Sequence, residues 1–339
     1  FWNLQFLPLS FPNGYWYPNA TRLIPFTIHE FPLYSFVVSD LHGHVIDIPF
    51  VLLTLAFLFS IFIKKSVKKI HLVFVSLLLA IMYMTNAWDG LIYMLLSIFV
   101  LIFMYFYKET KKWSFSKNSI YDFISANILL GSGFFIFTLP FNIHFKPFVS
   151  GIGVICAPKF LTNIEKIGPL LFEADHCQRS PFWQLIILYG FFYFFVVCFM
   201  LFLKFKKRYT VTKSDKFVAF LIILSTILII VPEFFYVKDI YPMHYRANTM
   251  FKLVYESFIM LSISSGYIII KIIASLKNKK FTLIFFLSSL LLLYMVLTYP
   301  IFAINSFYNN LSNYKGINGT DYIKKLYPGD YELINWINK

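Results

Sequence analysis

Between Thr27 and Asp47 the chain reads TIHEFPLYSFVVSDLHGHVID, which brings His29, Glu30, Asp40, His42, His44 and Asp47 into one short segment. Carboxylates and neutral imidazoles are the side chains that hold divalent cations and move protons near neutral pH. The spacing suits such work in two conformations. In an extended segment residues 40, 42 and 44 share one face; on a helix Asp40 and His44 align at i,i+4, and His44 and Asp47 at i,i+3. The plainer use is a polar cap at headgroup level whose side chains satisfy loop backbone groups, and Asp47 reads more readily as part of it.

Two further stretches carry polar residues of the same kind. TNAWDG, Thr85 to Gly90, offers Asn86, Trp88 and Asp89. Here the carboxylate could cap the following helix and the tryptophan could be an interface anchor. The stretch PEFFYVKDIYPMHYRANTMFKLVYES holds Glu233, Lys238, Asp239, Tyr245, Arg246, Asn248, Lys252 and Glu256. Asn248, Lys252 and Glu256 recur at i,i+4 and so line one helix face. A charge at depth in a bilayer costs roughly 2.5 to 3.5 kcal/mol, so such residues face a partner or a wet cavity. Lys252 and Glu256 could simply pair with each other. Arg246, at the outer mouth, suits an anion such as phosphate, which a guanidinium grips with two parallel hydrogen bonds. Trp2, Trp16, Tyr15 and Tyr17 could stack on sugar rings.

The elements that must position these residues are apolar. With 59% hydrophobic residues and only 14% charged among 339, the chain carries more apolar surface than one water-soluble core could hide. It is expected to be an all-α integral membrane protein. About eight segments meet the requirement of ~20 mostly apolar residues per span: 45–63, 70–88, 90–107, 120–140, 182–203, 217–235, 249–274 and 281–304. The domain division is therefore an outer juxtamembrane segment 1–44, a polytopic domain 45–304, and a tail 305–339 that begins a truncated extracytoplasmic domain. In that tail Asp330 could cap a helix whose apolar stripe is Leu333, Trp336 and Ile337.

Basic residues sort the two faces. Lys64, Lys65, Lys68 and Lys69 separate spans one and two, and Lys108, Lys111, Lys112 and Lys117 separate three and four. Lys204, Lys206, Lys207, Arg208, Lys213 and Lys216 follow span five, and Lys277, Lys279 and Lys280 follow span seven. With alternating spans all four loops share one side, which the positive-inside rule makes cytoplasmic. The three polar stretches then meet on the extracytoplasmic face. The net charge of +14 belongs to these loops, whose expected neighbours are membrane lipids, and no basic patch outside them points to nucleic acid. Cys156 and Cys177 could pair in one outer loop, while Cys198 falls inside a span and reads as packing. The chain starts at Phe1 without a basic leader or cleavage site, so an upstream segment is expected.

With these blocks in place, the chain resembles the YYY family of polytopic bacterial and archaeal membrane proteins, a family of unknown function. The carriers are TRLIPFTIHEFPLYSFVVSDLHGHVIDIPF, TNAWDG, PEFFYVKDIY with YRANTMFKLVYES, and NGTDYIKKLYPGDYELINWIN, in family order from about Tyr15 to the end. This chain departs from the pattern at His29, Gly43, Asp47, Ala87 and Lys238. The family is in turn similar to the GT-C superfamily of membrane glycosyltransferases, which transfer sugars from polyprenyl-phosphate carriers on the outer side of the membrane. That likeness implies a glycosyltransferase using a polyprenyl-phosphate-linked donor at the plasma membrane of a bacterium or archaeon, with an acceptor left open.

Under that implication Asp40 is the base or a metal ligand and Glu30 the alternative base. His42 and His44 ligate a divalent ion, Mg2+ or Mn2+, together with Asp40, or orient that carboxylate. Arg246 and Lys252 bind phosphate, while Asp89 and Asp239 hold sugar hydroxyls or support the ligands. Asn248, Trp88 and Glu233 complete the expected substrate contacts. The competing expectation is a transporter or channel-like protein with a polar path at Lys252, Glu256, Glu233 and Asp239. A third is an envelope scaffold.

Overall fold

The computed structural model describes residues 16–107, 113–147, 149–205, 210–239, 242–276, 278–309 and 321–338. Outside them lie Trp2 and Tyr15, the loop cations Lys108, Lys111, Lys112, Lys206, Lys207, Arg208 and Lys277, and the first part of the tail.

All eight apolar segments fold as helices. They are α3 Ile48–Lys64, α4 Lys69–Thr85, α5 Ala87–Phe106, α6 Lys117–Asn142, α8 Phe182–Phe205, α9 Lys213–Ile230, α10 Ala247–Ser275 and α11 Lys279–Tyr308. Among the described residues six are long and apolar enough to cross a membrane, and α3 and α4 are shorter apolar helices of 17 residues each. Lipid cannot satisfy a bare peptide group, so a spanning chain closes its hydrogen bonds within helices. Sequence signals set their ends. Ser116 Oγ accepts the Ser119 N–H at 3.2 Å to start α6, and Thr212 with Asp215 forms a capping box for α9. Pro49 occupies the first turn of α3, where its missing N–H costs nothing.

Helix α10 is the axis of the packing. Leu253, Tyr255, Ile259 and Met260 join the main core with side chains of α3, α4, α5, α6 and α9. Its Met250, Val254 and Leu261 pack with Tyr189, Phe192 and Val196 of α8, and Ile268 and Ile272 reach the far cluster around Phe195 and Phe199. By contrast α11 buries little of its length, and its outer end is tied by Tyr308 Oη donating to the Val37 carbonyl at 2.8 Å.

Two features depart from the helical expectation. The loop after α6 contains β1 Gly151–Val154, the short helix α7 Lys159–Thr162, β2 Lys166–Ile167 and β3 Leu170–Leu171; with β4 Phe235–Lys238 the strands form a sheet in the order β2-β3-β1-β4. β1 runs parallel to β3 and antiparallel to β4, opposing Ile152 to Val237. The expected sixth span therefore stops early. Pro232 ends α9, and residues 235–238 find hydrogen-bond partners in β1 rather than in a helix. Cys156 and Cys177 are joined by a disulfide beside this sheet. In the tail, α12 Asp321–Leu326 precedes α13 Pro328–Ile337, but Asp330 lies inside the first turn and Tyr327 occupies the cap without a side-chain bond. The proposed cap residue was thus misplaced, because Pro328 starts the helix earlier. Leu333, Trp336 and Ile337 are exposed.

Candidate functional site

The segment before α3 folds into a compact bracket. His29 N–H bonds to the Thr21 carbonyl at 3.2 Å, and Leu23 N–H donates to His29 Nε2 at 2.9 Å. That ring is buried; burial, and then the Arg22 charge, lower its pKa to about 3, so it stays neutral and works as a structural pin. The pin sets Arg22 against Glu30, with Nη2 to Oε1 at 2.9 Å. Pro32 starts α1 Pro32–Val37, and Ser39 then turns the chain through a left-handed conformation at φ 56°. Asp40 N–H closes the turn on the Ser35 carbonyl at 2.9 Å.

Three residues later begins α2 Gly43–Ile46, the element that carries His44. It sits directly on the end of α4: a Cβ on Gly43 would run into the Thr85 carbonyl oxygen. Only glycine permits that approach.

These turns converge Glu30, Asp40 and His44, whose ligating atoms all lie within 4.8 Å of one another. His44 Nε2 is 3.5 Å from Asp40 Oδ2. Of the two roles expected of His42, ligand or orienter of the carboxylate, its geometry suits the second. Its ring is 79% exposed and bonds through Nδ1 to Asp40 Oδ1, which also accepts the His42 backbone N–H at 3.1 Å. The triad is thus Glu30, Asp40 and His44, with His42 orienting Asp40 from the solvent side.

The electrostatics of the three differ. Burial raises the Glu30 pKa, and the hydrogen bond and charge of Arg22 oppose it. For Asp40 burial also acts upward, but the bonds and charges of His42, with His44, outweigh it and hold the carboxyl below its usual range. Burial and then the Lys252 charge lower the His44 pKa to about 3, leaving a neutral ring with a lone pair to offer. Two carboxylates and one neutral imidazole form a donor set that suits a divalent ion of the Mg2+ or Mn2+ type, Mn2+ tolerating the nitrogen better.

Lys252, half-buried on α10, places Nζ 3.3 Å from His44 Nδ1 and 4.5 Å above the Phe251 ring. The carboxylates acting on it are Asp89, Glu30, Asp40 and Glu256. The simple Lys252–Glu256 pair is not formed as such: Glu256 Oε2 accepts the Tyr93 hydroxyl at 2.6 Å, and Oε1 receives no donor. Asp89 is fully buried in the first turn of α5, where Oδ1 accepts Asn86 Nδ2 at 2.7 Å. Its carboxyl is hydrogen-bonded to that of Asp47, also fully buried, so this pair of acids shares a proton. Asp47 is therefore no headgroup cap. Burial takes Asp89 away from a sugar and leaves the other role expected of it, support of the ligands; Asn86, not Asp89, holds the N-cap position of α5, without a side-chain bond to the helix.

Arg246 and Glu233 require a correction. Arg246 is 2% exposed, with Nη1 bonded to Glu233 Oε2 at 3.0 Å and Nη2 to Ser180 Oγ at 3.1 Å. Glu233 also accepts the Ser180 N–H at 2.7 Å and the Ser180 hydroxyl at 2.6 Å. The chain before α8 folds over the guanidinium, so the pair fastens that loop to the start of α10 and presents no fork to a phosphate. Asp239 follows β4, beside Lys238, whose Nζ bonds to Glu173. Asn248 is half-buried in the first turn of α10, and Trp88 packs against the main core.

Sequence reading missed Arg22, though its place eight residues before Glu30 across a Pro25 turn was a usable signal. It also missed a cavity of about 640 Å³ between α8, α10 and α11. Phe31, Tyr189, Phe192 and Phe258 line it, and Glu30 and His29 stand at its wall.

A model of uncharacterized membrane proteins, DUF2298, matches residues 3–214 and 201–261. No curated protein and no solved structure matches the chain. The matched stretches take in the whole outer bracket, the triad and Lys252, and the chain belongs to the DUF2298 family of uncharacterized membrane proteins.

Proposed function

We propose that the protein is a GT-C-like glycosyltransferase that takes a sugar from a polyprenyl-phosphate-linked donor on the extracytoplasmic face. One observation carries the reading: Glu30 belongs both to the ligand triad and to the wall of the apolar cavity. A lipid-borne substrate needs that juxtaposition, with its chain in an apolar slot and its phosphate beside cationic groups.

In the reaction the acceptor hydroxyl gives up its proton, its oxygen bonds to the sugar's anomeric carbon, and the bond from that carbon to the phosphate oxygen breaks. The electron pair leaves on the polyprenyl phosphate. Glu30 suits the base, because its raised pKa makes it the stronger proton acceptor of the two acids. Asp40, held ionised, suits a ligand, and His44 supplies a neutral nitrogen. A divalent ion held by this set would stabilise the leaving phosphate. Arg22 adds positive charge at the same place, and Lys252 does so in the state without a bound ion.

The experiment is transfer of labelled sugar from a polyprenyl-phosphate donor by membrane fractions. Asp40→Asn and Glu30→Gln should each abolish transfer; undiminished transfer in both would remove the assignment. A second reading, a cation- or solute-conducting protein, draws on the buried acids Asp47, Asp89 and Glu256. Proteoliposome flux that depends on these three, with no transfer activity, would favour it.

A further inference from the structure

Four acids act on Lys252 through their charges: Asp89, Glu30 and Asp40, and Glu256 one turn along the same helix. An ammonium can only donate hydrogen bonds. Its contact with His44 Nδ1 therefore makes that nitrogen the acceptor and puts the imidazole proton on Nε2, the atom that faces Asp40. A divalent ion held by Asp40 and His44, with Glu30 beside it as the base, needs a bare nitrogen on the Asp40 side. Freeing Nε2 moves the ring proton to Nδ1, where N–H and ammonium would meet donor to donor. The ion's own charge repels Lys252 as well.

A place for the displaced ammonium already exists. Glu256 Oε1 is buried and receives no donor, and Glu256 lies one turn along α10 from Lys252; Asp89, buried as well, carries the hydrogen bonds of Asn86 and Asp47 and acts on Lys252 through its charge. A donorless buried carboxylate is costly, and the four-carbon lysine stem can swing a charge to it. We propose that Lys252 is a tethered counter-cation that leaves His44 for Asp89 and Glu256 when a divalent ion enters the triad. This rests on the ligand role given above to Asp40 and His44. The ion then replaces Lys252 as the positive charge facing the leaving phosphate, and the two acids tune ion affinity without touching the ion.

The test is a double-mutant cycle on the purified full chain, read as Mn2+ affinity by electron paramagnetic resonance. Lys252→Met should tighten Mn2+ binding on the order of 10-fold, because the competitor is gone. Asp89→Asn should weaken it several-fold with Lys252 present and have no effect in the Lys252→Met background. Glu256→Gln gives an independent arm with the same pattern, and thermal melting reports the fold of each variant. Unchanged affinity in Lys252→Met, or equal weakening by Asp89→Asn in both backgrounds, overturns the exchange while leaving the triad's ligand role intact. Absence of Mn2+ binding in the wild type and in every variant overturns both.

Discussion

At the residue scale the two outer acids are chemically alike and differently placed. Burial raises Glu30 against the opposing pull of Arg22, whereas His42 and His44 keep Asp40 ionised. His42 touches Asp40 from outside, so His42→Ala should lower Mn2+ affinity about 10-fold, as loss of an orienting partner does, whereas Asp40→Asn should abolish binding. Equal losses from both, measured by calorimetric titration, would make His42 a direct ligand after all. Glu173 gives a pH test away from the membrane. Burial acts to raise its carboxyl, but the hydrogen bonds of Lys238 and Tyr236 and the charges of Lys238 and His176 prevail and lower it. The carboxylate's stabilisation is complete above the ordinary glutamate range and is lost as pH falls through the lowered value. Protection of the β4 amides from hydrogen exchange, after correction for the intrinsic pH dependence of exchange, should therefore fall on acidification, and Glu173→Gln should flatten that dependence. The nearness of Asp40 and His44 in sequence was legible, but they meet across the turn into α2 and not on one helix face, because α2 begins only at Gly43. Arg246 was misread because its partner Ser180 lies 66 residues earlier, in a loop no local pattern describes.

At the element scale the helices were legible to within a few residues, since lipid demands long apolar runs and Ser116 and Thr212 mark where two of them begin. The sheet was not. β2 and β3 have two residues each, too few for an alternating pattern to show, and their pairing depends on chain reversals between β1 and β3. What holds this loop to the helices is the clasp of Arg246, Glu233 and Ser180. Removing one partner of a buried ion pair leaves an uncompensated charge, and Arg246→Ala should destabilise by about 3–5 kcal/mol. A melting temperature like that of the wild type would show that the clasp is dispensable. Loss of stability, rather than a specific loss of phosphate affinity, is the signature expected of this residue.

At the scale of the whole molecule an axial helix, α10, connects everything described. It packs with α8 and α9, carries Lys252 and Glu256, and borders the apolar cavity. The cavity was illegible in the sequence because phenylalanines that line it look the same as those that face lipid. Gly266 lines its wall, and a Cβ there would meet nothing within 4 Å. Gly266→Phe should accordingly fold, fill the space, and deplete lipid that copurifies with the protein, as mass spectrometry would register, while leaving Mn2+ affinity unchanged. Unaltered lipid content would separate the cavity from any lipid ligand.

The seat of Gly43 on the Thr85 carbonyl bears on both halves of the polar cluster. His44 departs from that corner in one direction, and the turn into α5 that bears Asp89 departs from it in the other. Main chain rests on main chain there, so no side chain is left to absorb an adjustment. Any change that shifts this joint moves the outer imidazole and the inner acid together, and a redesign cannot retune one without re-registering the other.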